Sequence, residues 1–348
     1  MADTLRIGLI GAGENTRVRH IPGFQAIEGV EIVAVCNRST ESGDRVADQF
    51  GIGRVETDPE ALFSDPTIDA IAIGTWPYRH REFVVRALDA GKHVLTEARM
   101  AMNATEAREM LDASRRRPDL VAQVVPAPFD LRSWRTVRRL VAEGALGDIR
   151  EVHVSIFNGA ATDPSTPAHW REQTVYSGAN VMMFGIYAEI VSRWLGPTAR
   201  LVANGTTFLT SRVDAANGQR TTLDVPDSLG VLSTLVSGTR VTYRFTAHAL
   251  TAVPGANTIV VFGSLGTLLW EFAGDRLQFA PAGSTLQPLE PDAGTEGTWH
   301  VEQDFVDSIR EGMPVTLTNF EDGLHYMQII EAAQRSRLTG RAVDVSEV

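Results

Sequence analysis

The sequence predicts an α/β protein of two domains, an N-terminal Rossmann doubly wound parallel sheet followed by a C-terminal α/β domain with a large, mostly antiparallel open sheet. Three observations predict it. The chain has 348 residues, and at roughly 100 to 200 residues per domain that length suits two. Short apolar runs alternate with helical patterns over the first third. Beyond about residue 145, runs suited to hairpins follow one another with little helix between them.

In chain order, "LRIGLIG" (5–11), "VEIVAVC" (30–36), "DAIAIGT" (69–75), "KHVLTE" (92–97) and "LVAQVV" (120–125) read as strands bounded by turn residues. Between them, 15–27, 40–50, 80–90 and 105–117 carry apolar residues at helical spacing, as at Phe83, Ala87 and Ala90. Strands that are apolar throughout, rather than alternately, are covered on both faces, which is the pattern of a parallel sheet wound with helices. "PAPFD" (126–130) supplies two prolines at the boundary, giving domains of 1–126 and 127–348. After a helix at 131–143, "GDIREVHVSIFN" alternates Ile149, Val152, Val154 and Ile156 with more polar neighbours. "DSLGVLSTLVSG", "TRVTYRFTAH", "NTIVVFGS" and "GTLLWEF" then follow with short Gly or Ser turns, the pattern of an antiparallel sheet built from hairpins. A helix at 179–195 interrupts the sheet, and helices at 301–311 and 320–336 close the chain.

Composition narrows the partners. A formal charge of -11 argues against a nucleic-acid or anionic-membrane surface, which calls for a basic patch. No apolar run reaches the ~18 residues that span a bilayer, and the first residues lack the basic region and cleavage site of a secretory signal. A cytoplasmic protein with a small-molecule partner is expected, binding neither nucleic acid nor membrane. The single cysteine, Cys36, excludes an internal disulfide and a thiolate cluster, and the eight histidines show no paired spacing, so no metal is expected. Of 32 basic residues Lys92 is the one lysine. Any lysine-dependent mechanism must use it or be absent.

"GLIGAGENTR" follows the first strand and opens the first helix. Gly11 and Gly13 supply two glycines of GxGxxG, which allow a tight turn and the approach of a pyrophosphate to the free N–H groups of the helix start. Asn15 and Thr16 continue that turn, and Thr16 departs from the Gly or Ala of the third position. Alone, the pattern also fits an ordinary strand-to-helix turn; its place in the first strand-turn-helix, with a second strand ending some twenty residues on, favours a dinucleotide. At the end of that second strand stand Asn37, Arg38 and Ser39. Asn removes the carboxylate that would repel a 2′-phosphate, and Arg with Ser suits binding one, so NADP is favoured over NAD. Arg38 stacked on adenine, with either cofactor accepted, is the alternative.

With these residues, the chain resembles the Gfo/Idh/MocA family of sugar and cyclitol oxidoreductases through "AVCNRS", "AGKHVLTEA", "GALGDI", "RWLG" and the closing "NFEDGLHYMQIIEAAQRSRLTGRAV". The resemblance implies a Rossmann domain, a C-terminal α/β domain whose open sheet packs on other subunits as a homodimer or homotetramer, and a nicotinamide cofactor. It aligns the family's EKP with Glu97, Ala98 and Arg99, so that Ala98 stands at the lysine. It aligns DxGxH through Gly185, placing Met183 at the aspartate and Tyr187 at the histidine. Lys92 cannot substitute, because it opens its strand, whereas ligands bind at carboxyl ends. The resemblance further implies Thr75 and Trp76 beside the cofactor, His80 at a family histidine, Glu97 on the nicotinamide ribose, and His169 and Arg171 of "AHWREQ" as candidate substrate ligands. For His80 a helix cap, and for His169 and Arg171 an exposed polar loop, are the plainer readings.

Two explanations of the altered motifs follow. Hydride transfer to or from a polyhydroxylated small molecule persists with Tyr187 as proton relay and Arg99 polarising a substrate oxygen; a phenol of reference pKa about 10 then needs nearby positive charge, and a core aromatic on an apolar helix competes with that role. Alternatively the fold keeps its cofactor without net oxidation, as an isomerase, lyase, glycoside-cleaving enzyme or dinucleotide sensor.

Overall fold

The apolar runs of the first third form β1 (Leu5–Ile10), β2 (Val30–Cys36), β3 (Val55–Glu56), β4 (Ala70–Ile73), β5 (His93–Thr96) and β6 (Ala122–Val124). In this computed structural model, which describes residues 4–181, 183–215, 217–292 and 297–348, they pair side by side in the order β3-β2-β1-β4-β5-β6. Every pairing is parallel. The order reverses between β1 and β4, which makes their carboxyl ends the switch point where such sheets bind ligands. Five of these strands follow the sequence pattern; β3, two residues long, is too short for periodicity to reveal.

The first helical segment begins as a π turn, Thr16–His20, and continues as α1 (Ile21–Gln25). Then come α2 (Thr40–Phe50), α3 (Glu60–Phe63), α4 (His80–Asp89) and α5 (Ala104–Arg116). Local chemistry sets their ends. Ser39 caps α2 by accepting the Ser42 N–H, Gly51 closes it at φ 70°, and Asn103 caps α5 through the Glu106 N–H. Lys92, just before β5, is buried and donates Nζ to the carbonyls of Asp65 at 2.7 Å and Ile68 at 2.6 Å. The one lysine therefore braces the amino end of the sheet.

The later strands are β7 (Ile149–Phe157), β8 (Thr198–Thr206), the hairpin of β9 (Ser211–Val213) and β10 (Arg220–Thr222), β11 (Ser228–Leu235), β12 (Arg240–Thr246), β13 (Thr258–Gly263), β14 (Gly266–Glu271), β15 (Arg276–Pro281), β16 (Gln287–Leu289) and β17 (Val343–Asp344). Nine of them form one sheet, β16-β15-β14-β13-β7-β12-β11-β8-β17. It is antiparallel except for β7 beside β12, whose pairing is parallel. Alternation sorts the sheet's faces: Val152, Val154 and Ile156 on β7 and Val241, Tyr243 and Phe245 on β12 are buried. The accompanying helices are α6 (Trp134–Ala142), α7 (Thr174–Ser177), α8 (Phe184–Leu195), α9 (Val301–Glu311) and α10 (Phe320–Thr339). Aromatic contacts such as Phe184 with Tyr243, ring centroids 5.1 Å apart, seat α8 on the inner face. Among the described residues no helix is long and apolar enough to cross a membrane.

Packing groups the chain into one unit running to Pro126 together with His300–Leu324, and another of Ala127–Trp299 with His325–Val348. Segment 300–324, which the sequence reading places in the C-terminal domain, thus packs with the Rossmann sheet. Phe305 of α9 meets Phe24 of α1 edge-on at 6.4 Å, and both are fully buried. Cys36 is a buried strand residue.

Candidate functional site

The turn after β1 is built around Gly11, at φ 84°, where an added Cβ would lie 2.7 Å from the Thr75 side chain and 2.9 Å from its backbone nitrogen. Only glycine fits there. At Gly13 the nearest protein atom to an added Cβ is the Gly74 carbonyl at an ordinary 3.7 Å, so the protein itself does not demand glycine at that position. Thr16 departs from the small third residue because the strand opposite compensates: Gly74, at the end of β4, has no side chain to meet Thr16, whose hydroxyl donates to the Gly11 carbonyl at 3.1 Å. The close helix-to-sheet approach is thereby kept.

After β2, Asn37 accepts the Ala12 N–H at 2.9 Å and donates to the Ser42 carbonyl at 3.1 Å. Ser39 is occupied as the cap of α2. Of the three residues expected at the cofactor, Asn37 and Ser39 therefore shape the turn, while Arg38 is exposed with its guanidinium 5.7 Å from the centre of the Trp76 ring. That contact draws Trp76 toward the end of β2, the adenosine side of a dinucleotide, rather than toward the nicotinamide side.

Thr75, two residues past β4, and Thr96, the last of β5, have buried hydroxyls with no hydrogen-bond partner among the described residues. His80 is wholly buried; Nε2 lies 2.9 Å from the Thr75 carbonyl, and Nδ1 lies 3.1 and 3.2 Å from those of Arg99 and Met100. Expected among the cofactor ligands, it instead ties the loop after β4 to the loop after β5, with no surface left for a ligand. Burial lowers its pKa, outweighing the carbonyls that favour the charged ring.

Beyond β5, Glu97 accepts hydrogen bonds from Asn15 and, at 3.0 Å, from His20, and its second oxygen takes the Ala98 N–H at 3.1 Å. Burial pushes the Glu97 carboxyl up, but His20, Asn15 and the Ala98 N–H together hold it below the ordinary range. Arg99 is 9% exposed. His20 and its further partner Glu302 were not singled out by sequence: a histidine five residues past Asn15 and a glutamate 282 residues away share no local pattern.

Tyr187, Met183, His169 and Arg171 belong to the second unit. Tyr187 is fully buried among Phe129, Phe245 and Trp270, with ring centroids at 5.9, 5.9 and 6.3 Å, and among the described residues its hydroxyl has no partner. Burial raises its pKa. The expected depression of this phenol is thus reversed. Met183 sits at the N-cap of α8. His169 is exposed and caps the turn Trp170–Glu172, accepting the Arg171 N–H at 3.2 Å, while the Arg171 guanidinium lies 4.1 Å over the Trp170 ring. Buried Arg212 fixes this loop, donating to Glu172 at 2.7 Å and to the Ala160 carbonyl at 2.6 Å.

Comparison with known families agrees with both halves. Residues 5–124 match the model of the oxidoreductase family with an NAD-binding Rossmann fold, and residues 134–269 match the GFO/IDH/MocA C-terminal domain. The chain belongs to the Gfo/Idh/MocA family. Among similar proteins, 1,5-anhydro-D-fructose reductase of Ensifer adhaerens is 34% identical over 51% of this chain and 52% of its own length. Levoglucosan dehydrogenase of Pseudarthrobacter phenanthrenivorans is 24% identical with 99% of both chains covered. The chain spans about half the length of several curated relatives that it matches, 58%, 48% and 52% in three of them. A solved levoglucosan dehydrogenase in complex with NADH and L-sorbose shares the fold, with a TM-score of 0.87, 22% identity and 98% of each chain covered.

Proposed function

We propose that the protein is an NAD(P)-dependent oxidoreductase acting on a CH–OH group of a sugar, cyclitol or related polyhydroxylated small molecule. The supporting observation is the cradle at the switch point. Gly11 is confined to a left-handed turn, Gly13 is open on the ligand side, and the orphaned Thr75 hydroxyl stands beside the turn. These groups suit a pyrophosphate and its ribose oxygens. Nicotinamide, when bound, supplies or accepts the hydride.

The chain's own residues bind and orient. Gly11, Gly13, Asn15 and Thr16 form the cofactor turn, shaped from behind by Asn37 and Ser39; Arg38 and Trp76 flank the adenosine side; Glu97 takes the nicotinamide ribose. Arg99 polarises the substrate oxygen without itself exchanging a proton, the hydroxyl proton passing to or from solvent water, and His169 and Arg171 hold substrate hydroxyls. Arg38 favours NADP over NAD. Relatives named for levoglucosan and 1,5-anhydro-D-fructose suggest the first substrates to offer. Purified protein mixed with either compound, a polyol panel and each cofactor should show a substrate-dependent change in reduced-cofactor absorbance. Silence across the panel in a protein that binds cofactor would count against net oxidation.

One observation favours the second reading, an isomerase, lyase or glycoside-cleaving enzyme with transient nicotinamide redox, or a sensor. Glu97 is held too acidic, His80 is enclosed and Tyr187 is too basic to exchange protons readily at neutral pH. A homodimer or homotetramer is also proposed, since Val202 and Leu232 pair across β8 and β11 on the exposed face of the large sheet. A monomer in light scattering would count against it.

A further inference from the structure

The Rossmann unit buries an ion cluster of which the reading above uses only Glu97. His20 ends the π turn at 3% exposure, with Nδ1 2.5 Å from a Glu302 oxygen and Nε2 3.0 Å from Glu97. Gly23 makes room for it, since a Cβ there would lie 2.7 Å from Glu302. With both carboxyl groups ionised, each ring nitrogen carries hydrogen toward its partner and the ring is an imidazolium. Burial pulls the His20 pKa down, yet the hydrogen bonds to Glu302 and then Glu97 more than offset it and raise it to about 9. Burying such a cluster is costly compared with apolar packing, and what that cost can serve is the site it borders.

That site is the carboxyl edge of the sheet. His20 and Glu97 pack there against Thr16, Gly74, Leu95 and Val125, with no room between them for a water. A dinucleotide whose ribose lies at the end of β2 and whose pyrophosphate lies on the β1 turn must carry its other half across the switch point, over β4 and β5. Glu97 immediately follows β5. The oxidised ring is a cation and the reduced ring is neutral, so a fixed carboxylate there discriminates between them.

We propose that His20, clamped between Glu302 and Glu97, is a positioning residue that fixes an ionised Glu97 beside the nicotinamide half of the cofactor and biases the site toward the oxidised ring. This rests on dinucleotide binding by the Rossmann unit and not on the identity of the substrate. The test is calorimetric titration of the intact protein with NAD+ and NADH, and with their 2′-phosphorylated forms. Glu97→Gln should weaken the oxidised form at least about tenfold relative to the reduced form, and Glu302→Gln, one residue removed, about three- to fivefold in the same direction. Equal losses for both redox forms, as a merely structural role would give, or an unchanged ratio, would overturn the inference. Glu302→Asp, which keeps the charge, should restore a ratio near wild type; if Glu302→Gln does not fold, the inference stands or falls on Glu97→Gln and this variant. A wild-type protein that bound neither coenzyme would instead defeat the functional proposal itself.

Discussion

Tyr187 and Arg38 show how differently two residues read as functional can be used. The sequence gives Tyr187 as a phenol beside the chemistry or as a core aromatic, and only its surroundings choose: Phe129, Phe245 and Trp270 enclose it, and no described group accepts its hydroxyl. An unsatisfied buried hydroxyl costs about 1–3 kcal/mol. Tyr187→Phe is therefore expected to hold or raise the melting temperature and to leave turnover within about twofold; a tenfold fall in kcat would restore the phenol as proton relay. In the proposed preference for NADP, Arg38 stands alone, because its neighbours Asn37 and Ser39 are spent on the turn. Arg38→Ala should weaken NADP about tenfold and NAD hardly at all, since one charge-assisted contact is removed, and unequal losses of the opposite sense in a fluorescence titration would refute it. Residue types were legible from sequence here, but whether a side chain was already engaged was not.

At the scale of elements, the strands of the Rossmann half other than β3 follow their pattern because they are largely apolar on both faces, and the longer helices because one apolar face is buried; α3, four residues long, is too short to show a period. Helix α8 starts at Phe184 rather than near 179, with Met183 at its N-cap. The junction of β1, β4 and the π turn is the tightest packing of the site. A methyl at Gly74 would collide with the Thr16 hydroxyl and with the Gly11 carbonyl. Gly74→Ala should cost about 1–3 kcal/mol in chemical denaturation and impair cofactor binding. Adding Thr16→Ala should not restore either, because the Gly11 carbonyl is backbone and cannot swing aside; full recovery in the double variant would show that the turn is not rigid. Sequence pattern located this junction through two glycines, but Gly74, which makes Thr16 tolerable, is 58 positions from it and follows no motif.

For the whole molecule, the His20 cluster links stability to pH. Its folded pKa of about 9 lies above the ordinary 6.5, so its stabilisation is complete below about 6.5 and is lost as pH rises through about 9. Within that window the unfolding free energy should fall by about 1.4 kcal/mol per pH unit, with Glu97, Glu302 and Asn15 as the groups that face the ring. Urea melts of wild type and Glu302→Gln across this range should show a shallower slope in the variant; parallel slopes would mean that His20 does not titrate there. The two-domain plan was legible from rhythm and composition, whereas the return of 300–324 to the first unit was not, because α9 is amphipathic in a way that suits either sheet.

That return has a consequence for biogenesis. Glu302, Phe305 and Val306 are buried parts of the nucleotide-binding half, yet they leave the ribosome only after the whole intervening sheet has been made. A nascent or recombinant piece ending at Pro126 would expose Phe24 and strand His20 with half its counterions, so it should melt without cooperativity and invite chaperones; the Rossmann module cannot mature until α9, translated after the large sheet, has been made.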